Sequence, residues 1–94
     1  LPKAEAEFMA RSQVFPAAAA FETPVAAPAW KDKPSWALIP TEDRAINPEL
    51  MRRMAERAGS AAVEIAASHA VFASQPEAVA ALIETAAEAL APAN

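Results

Sequence analysis

The only histidine in the 94-residue chain, His69, lies three residues past the short apolar run Val63-Glu64-Ile65-Ala66. Histidine is the side chain whose ordinary pKa lies near neutrality, so one placed just beyond a strand suits proton transfer. Asp43 stands four residues past a second apolar run, Ser35 to Ile39. In parallel α/β sheets, ligands and catalytic side chains gather at the C-terminal ends of strands. If the two runs are neighbouring strands about 4.8 Å apart, their loops emerge side by side and the Asp43 carboxylate reaches the imidazole. A carboxylate so placed fixes the tautomer through Nδ1 and stabilises the imidazolium that forms when Nε2 takes a proton. The pair then makes two thirds of a nucleophile, base and acid triad. Glu42, adjacent and equally ionised, competes with Asp43 for this place. The plainer alternatives are a hydrogen-bonded structural histidine and solvated loop carboxylates.

The elements around these residues must bring the two loops together. Ser35-Trp36-Ala37-Leu38-Ile39, stopped by Pro40, has the length and lack of polar alternation of a strand buried on both faces. Asn47-Pro48-Glu49 is a helix start, with Asn as N-cap, Pro in the first turn and an acid at the positive end of the dipole. The helix is expected over 48–58, with Leu50, Met51, Met54 and Ala58 on its apolar face. Gly59, the only glycine, falls where a left-handed C′ residue is needed. With the second strand at 63–66, the order strand, helix, strand predicts a right-handed parallel βαβ unit.

Ser74-Gln75-Pro76-Glu77 reads as a capping box opening a helix over 75–90, with Val79, Leu82, Ile83, Ala86 and Leu90 along one stripe. At the other end, residues 3–14 are strong helix formers carrying Leu1, Ala4, Phe8 and Phe15 on one face, closed by Pro16. Residues 17–21 suit a short helical turn. Three prolines between Pro24 and Pro34 forbid a long helix there, and Trp30 suggests an ordered connection rather than a tether.

Composition narrows the function classes. Of the 54% apolar residues, 28 are alanine, and Leu, Ile, Val and Phe together number only 18, a thin core for independent folding. A piece of a larger folded unit is therefore expected. A net charge of −4 provides no basic face for phosphates, so nucleic-acid binding is not expected. Arg44, Arg52, Arg53 and Arg57 are diluted by Glu42, Asp43, Glu49 and Glu56, as on a solvated helix face. With no cysteine, a disulfide framework and thiolate metal sites are excluded. No apolar run approaches the ~20 residues of a membrane span. Neither cofactor nor metal is expected, and the compartment stays open. Leu1 in place of an initiator Met leads to the expectation that the true N-terminus lies outside this chain.

The segments Pro34-Ser35-Trp36-Ala37-Leu38-Ile39-Pro40-Thr41-Glu42-Asp43-Arg44-Ala45-Ile46 and Gly59-Ser60-Ala61-Ala62-Val63-Glu64-Ile65-Ala66-Ala67-Ser68-His69-Ala70-Val71 resemble the C-terminal part of an α/β-hydrolase. They are most similar to the bacterial esterases related to plant hydroxynitrile lyases and salicylate esterases. The resemblance covers nearly the whole chain. It implies an α/β fold with residues 1–22 as the end of the cap region and 23–94 as the C-terminal part of the core, not a complete sheet on its own. The same resemblance assigns the triad acid to Asp43 and the base to His69, acting on a small carboxylic ester. Phe8 and Met9 in the cap and Phe72 beside the base become candidates for an apolar substrate pocket, while Trp36 is expected in the core. Arg44 is expected to pair with Glu42 or Glu49, the alternative being a clamp on an anionic substrate.

One feature of that family is absent. Its nucleophile sits in a Gly-x-Ser-x-Gly elbow, and a chain with one glycine cannot hold that motif. None of Ser12, Ser35, Ser60, Ser68 or Ser74 has the flanking glycines. The expectation is an N-terminal segment of the same hydrolase, bearing the serine, as the partner of this chain, which alone is inactive. Two alternatives stand beside it. One is the same fold with cofactor-free haloperoxidase or hydroxynitrile-lyase chemistry, for which a pocket lysine would speak, although Lys31 and Lys33 precede the first strand. The other is a non-catalytic helical interaction module.

Overall fold

The computed structural model describes residues 1–92. Its centre is a two-stranded parallel sheet, β1 (Trp36–Pro40) beside β2 (Ala61–Ile65), in the register Trp36↔Ala61 through Pro40↔Ile65. The helix α3 (Pro48–Ala58) joins them, so the expected βαβ order and parallel pairing are present. Both strands differ from their expected bounds: β1 is shifted by one residue from 35–39, and β2 occupies 61–65 instead of 63–66. Ala61 and Ala62 carry weak strand propensity, and they are drawn into the ladder by the residues opposite them.

Strand alternation sorts the sheet into two faces. Ala37, Ile39 and Glu64 turn towards α3, whose inward stripe is Met51, Ala55 and Ala58. This corrects the expected stripe at Leu50, which is exposed; Met54 is exposed as well but borders the groove between α3 and the sheet. Leu38, Val63 and Ile65 turn towards the long C-terminal helix, α5 (Pro76–Ala89), through Ala78, Ala81 and Leu82. Arg52 ties α3 to the sheet by donating to Glu64 at 2.6 Å and to Glu49 at 3.3 Å. The apolar core is small, comprising Ile39, Ala55, Ala67 and Val71. β1 is only partly buried, and four of the five residues of β2 are exposed.

The caps of α3 form as the sequence implies. Asn47 accepts from the Glu49 N–H at 2.8 Å, Pro48 opens the first turn, and Gly59 closes the helix with φ +69°. Those of α5 do not. A separate turn, α4 (Val71–Ser74), precedes it, and Gln75, not Ser74, occupies the N-cap position without a side-chain cap bond. Proline explains the shift: Pro76 sits at the first helical position, and the residue before a proline is driven out of the helical region. Gln75 accordingly adopts φ −137°, ψ 61°.

The N-terminal third stands apart from this layer. α1 (Lys3–Arg11) ends three residues before the expected position, because Ser12 and Gln13 turn back to the Phe8 and Met9 carbonyls. α2 (Ala18–Glu22) follows, and neither helix buries a residue. A 3₁₀ turn at Ala29–Lys31 then brings Trp30 against the end of α3, with the Arg57 guanidinium 5.1 Å from the ring centroid. The Cα radius of gyration, 15.7 Å, exceeds the ~12 Å of a compact domain of this length. No helix among the described residues is long and apolar enough to cross a membrane.

Candidate active site

Beyond the C-terminal end of β1, two further backbone bonds extend the ladder. The Thr41 N–H donates to the Ile65 carbonyl at 2.9 Å, and the Glu42 N–H donates to the Ala67 carbonyl at 3.0 Å. One step on the first strand therefore spans two on the second, a bulge-like offset of the kind that re-aims side chains beside active sites. Asp43 leaves the first loop turned inward, and His69 leaves the second within reach of it.

Asp43 is the only buried charged residue among those described. Its Oδ1 accepts from the Ala45 N–H at 2.7 Å and the Ile46 N–H at 2.9 Å, an Asx-type turn that the short aspartate side chain can close on its own backbone. Its Oδ2 lies 2.7 Å from His69 Nδ1. Burial alone raises the carboxyl pKa, but the N–H donors of Ile46, His69 and Ala45, together with the charge of a protonated His69, outweigh it and hold the group below the usual carboxylate value. An ionised carboxylate accepts only, so in the neutral imidazole Nδ1 is the ring nitrogen that carries the proton and Nε2 keeps its lone pair.

Solvent access differs between the two partners. The Asp43 side chain is 0% exposed and that of His69 is 56% exposed. The imidazole thus stands between a sealed acceptor and an open cleft of about 630 Å³ lined by Glu42, Arg44, Ala45, Ser68, His69 and Ala70. This arrangement suits a general base, oriented from behind and free to meet a proton donor in front.

Between the rival acids, Asp43 bonds the ring, whereas Glu42 is exposed on the cleft wall. Arg44 corrects an expectation: Glu49 pairs with Arg52, and Arg44 makes no ion pair among the described residues while bordering the cleft. Phe8, Met9 and Phe72 do not border it. Phe8 is 71% exposed on α1, Phe72 is 58% exposed on α4, and Met9 is half-buried. Trp36 is half-buried on β1. Lys31 lies over Trp30 in the turn preceding β1, away from the strand ends that carry Asp43 and His69. Sequence reasoning missed Gln75, which donates from Nε2 to the Ala66 carbonyl at 3.0 Å, at the start of the histidine loop. Its signal was Pro76, which marks the preceding residue as a non-helical corner.

A family model described as alpha/beta hydrolase family matches residues 1–82. No curated protein and no solved structure matches the chain.

Proposed function

Since the chain belongs to the alpha/beta hydrolase family, we propose that it contributes the acid and base of a Ser-His-Asp triad to a serine hydrolase of small carboxylic esters. Within the family, the reading places it with the bacterial esterases similar to plant hydroxynitrile lyases and salicylate esterases. The observation that carries the proposal is the 2.7 Å bond from His69 Nδ1 to a fully buried Asp43, with the ring open to a cleft on its other side. The nucleophile comes from an N-terminal segment of the same hydrolase, seated against the strand ends.

Chemistry then follows from the geometry. His69 Nε2 takes the proton of the serine hydroxyl as its Oγ bonds to the ester carbonyl carbon, and Asp43 stabilises the resulting imidazolium. Nε2 returns the proton to the departing alcohol oxygen as the carbon–oxygen bond breaks, leaving an acyl-serine. Water repeats the attack with Nε2 again as base, releasing the carboxylic acid and restoring the serine. Phe72, three residues beyond the base, would form part of the apolar wall of the ester site. Phe8 and Met9, carried on α1 at the end of the cap region, are assigned to the same wall in the intact hydrolase.

The same acid–base pair would serve haloperoxidase or hydroxynitrile-lyase chemistry. Hydrolysis is favoured over the lyase reaction because the cleft lining contains Arg44 and no lysine among the described residues. Hydrolysis of p-nitrophenyl acetate by the intact hydrolase, with labelling of its serine by a fluorophosphonate, tests the proposal. The expected result is activity and labelling that His69→Ala abolishes, and no activity from the 94-residue chain alone. Turnover that survives His69→Ala, or turnover by the purified chain that His69→Ala removes, overturns the respective part of the reading.

A further inference from the structure

The loop that presents His69 runs from Ala66 to Ala70 and is held by very few groups. Ala67 is buried and its carbonyl accepts the Glu42 N–H, while Val71 is buried at the start of α4. Ser68 and His69 themselves are exposed. Ala66 is the extra residue of the bulge-like offset between Ile65 and Ala67. By strand alternation its carbonyl faces away from β1, towards an edge where no strand among the described residues pairs with it. Left alone, that carbonyl would be free to rotate and take the loop with it.

Gln75 reaches that carbonyl. Its side-chain Nε2 donates to the Ala66 oxygen at 3.0 Å, and its backbone N–H donates to the Val71 oxygen at 2.8 Å. One half-buried residue therefore bonds both ends of the segment that contains His69, nine residues along the chain from Ala66. Its backbone is fixed in turn, because Pro76 confines Gln75 to a non-helical conformation between α4 and α5. An amide is the fitting group here: it donates at neutral pH without bringing a charge beside the imidazole.

From these contacts we infer that Gln75 is a positioning residue, holding the histidine loop so that Nδ1 meets Asp43 and Nε2 faces the cleft. The inference deepens the proposed function and rests on that reading for its effect on rate, but its structural part can be measured without turnover. Gln75→Met keeps the length of the side chain and removes the donor. In the intact protein, this variant is expected to accelerate amide hydrogen exchange at Glu42, which donates to Ala67, while leaving Thr41, bonded to the strand residue Ile65, unchanged. The downfield Nδ1 proton resonance of His69 is expected to broaden or move upfield. kcat is expected to fall by up to about 100-fold, the scale of a small misplacement of a catalytic group, with KM unchanged. Gln75→Lys, which retains an N–H donor able to reach the same carbonyl, is expected to recover the wild-type exchange at Glu42. Unchanged exchange and an unchanged Nδ1 resonance in Gln75→Met overturn the inference, as does equal acceleration at Thr41 and Glu42, which would make Gln75 a general stabiliser of the fold. If the loop measurements come out as expected in a protein that hydrolyses no ester, the proposed function falls and the positioning role stands.

Discussion

Replacing Asp43 by asparagine isolates the chemistry of the site from its shape. Asparagine retains an oxygen for the Ala45 and Ile46 N–H groups, which donate at 2.7 and 2.9 Å, so the turn that carries the residue is kept. What changes is the atom facing the ring, where an N–H donor replaces the oxygen that accepted from Nδ1 at 2.7 Å. To meet a donor, the imidazole must carry its proton on Nε2, and that nitrogen then has no lone pair for the serine proton of the proposed mechanism. Water cannot substitute for the lost acceptor, because the Asp43 side chain is 0% exposed. In a serine protease triad, an acid-to-amide exchange that leaves the geometry intact lowers kcat about 10⁴-fold through the wrong tautomer, and the same scale is expected here. The assay is kcat of the intact hydrolase on p-nitrophenyl acetate at neutral pH, alongside nitrogen NMR of the ring and thermal melting. Expected are the loss in kcat, a proton on Nε2, and a melting temperature close to wild type. Asp43→Ala, which also orphans the Ala45 and Ile46 N–H groups, is expected to melt clearly lower. If Asp43→Asn keeps kcat within about tenfold of wild type, far from the 10⁴-fold expected, with Nδ1 still protonated, the tautomer argument is wrong.

Glu42→Gln is expected to leave kcat within about twofold, the span of an ordinary surface substitution; a larger loss in the same assay would transfer the acid role to Glu42. Asp43 binds its proton less tightly in the folded protein than in the unfolded chain. Its contribution to stability is therefore complete above the unfolded value of about 3.9 and is lost as pH falls below it through the folded value. Glu64, lowered chiefly by its bond from Arg52, acts in the same direction. Melting temperature should fall on acidification through this range, and Asp43→Asn should flatten the fall; a rise on acidification contradicts the argument. Gly59→Ala meets no atom within 4 Å but must adopt φ +69°, so it should cost about 1 kcal/mol in denaturant unfolding, with Gly59→Asn costing less.

The features legible in the sequence are those whose determinants are local. Asn47, Pro48 and Gly59 mark the ends of α3 through backbone chemistry that no distant contact overrides. The juxtaposition of Asp43 and His69 followed from the strand, helix, strand order, because parallel neighbours bring successive C-terminal loops together. In the sequence only the family resemblance preferred Asp43 to Glu42; in the fold the difference lies in the turn that Asp43 closes with Ala45 and Ile46, since a short side chain bonds its own backbone more readily than a longer one. Elements written in alanine were harder to bound. Ala61 and Ala62 join β2 because of what lies opposite them, and no window of sequence contains that information. The capping box at Ser74 misled because two start signals overlapped, and the fixed ring of Pro76 decided between them. α1 ended early because Ser12 and Gln13 compete for the last carbonyls, a contest that counting helix formers does not register.

The two backbone bonds that carry the ladder past the strands, Thr41 to Ile65 and Glu42 to Ala67, also couple the motions of acid and base. With the loops stitched together one residue before Asp43 and two before His69, a fluctuation that lifts one loop carries the other with it. The 2.7 Å separation is thereby buffered against the twisting of a lightly packed sheet, because movement of either loop is shared by the other before it reaches the two side chains. Changes in length should be tolerated unequally along the chain. An insertion at Ser68 would have to be absorbed between the last stitch and the imidazole, whereas one within Lys31–Pro34, ahead of the strands, would leave the relation of acid to base untouched.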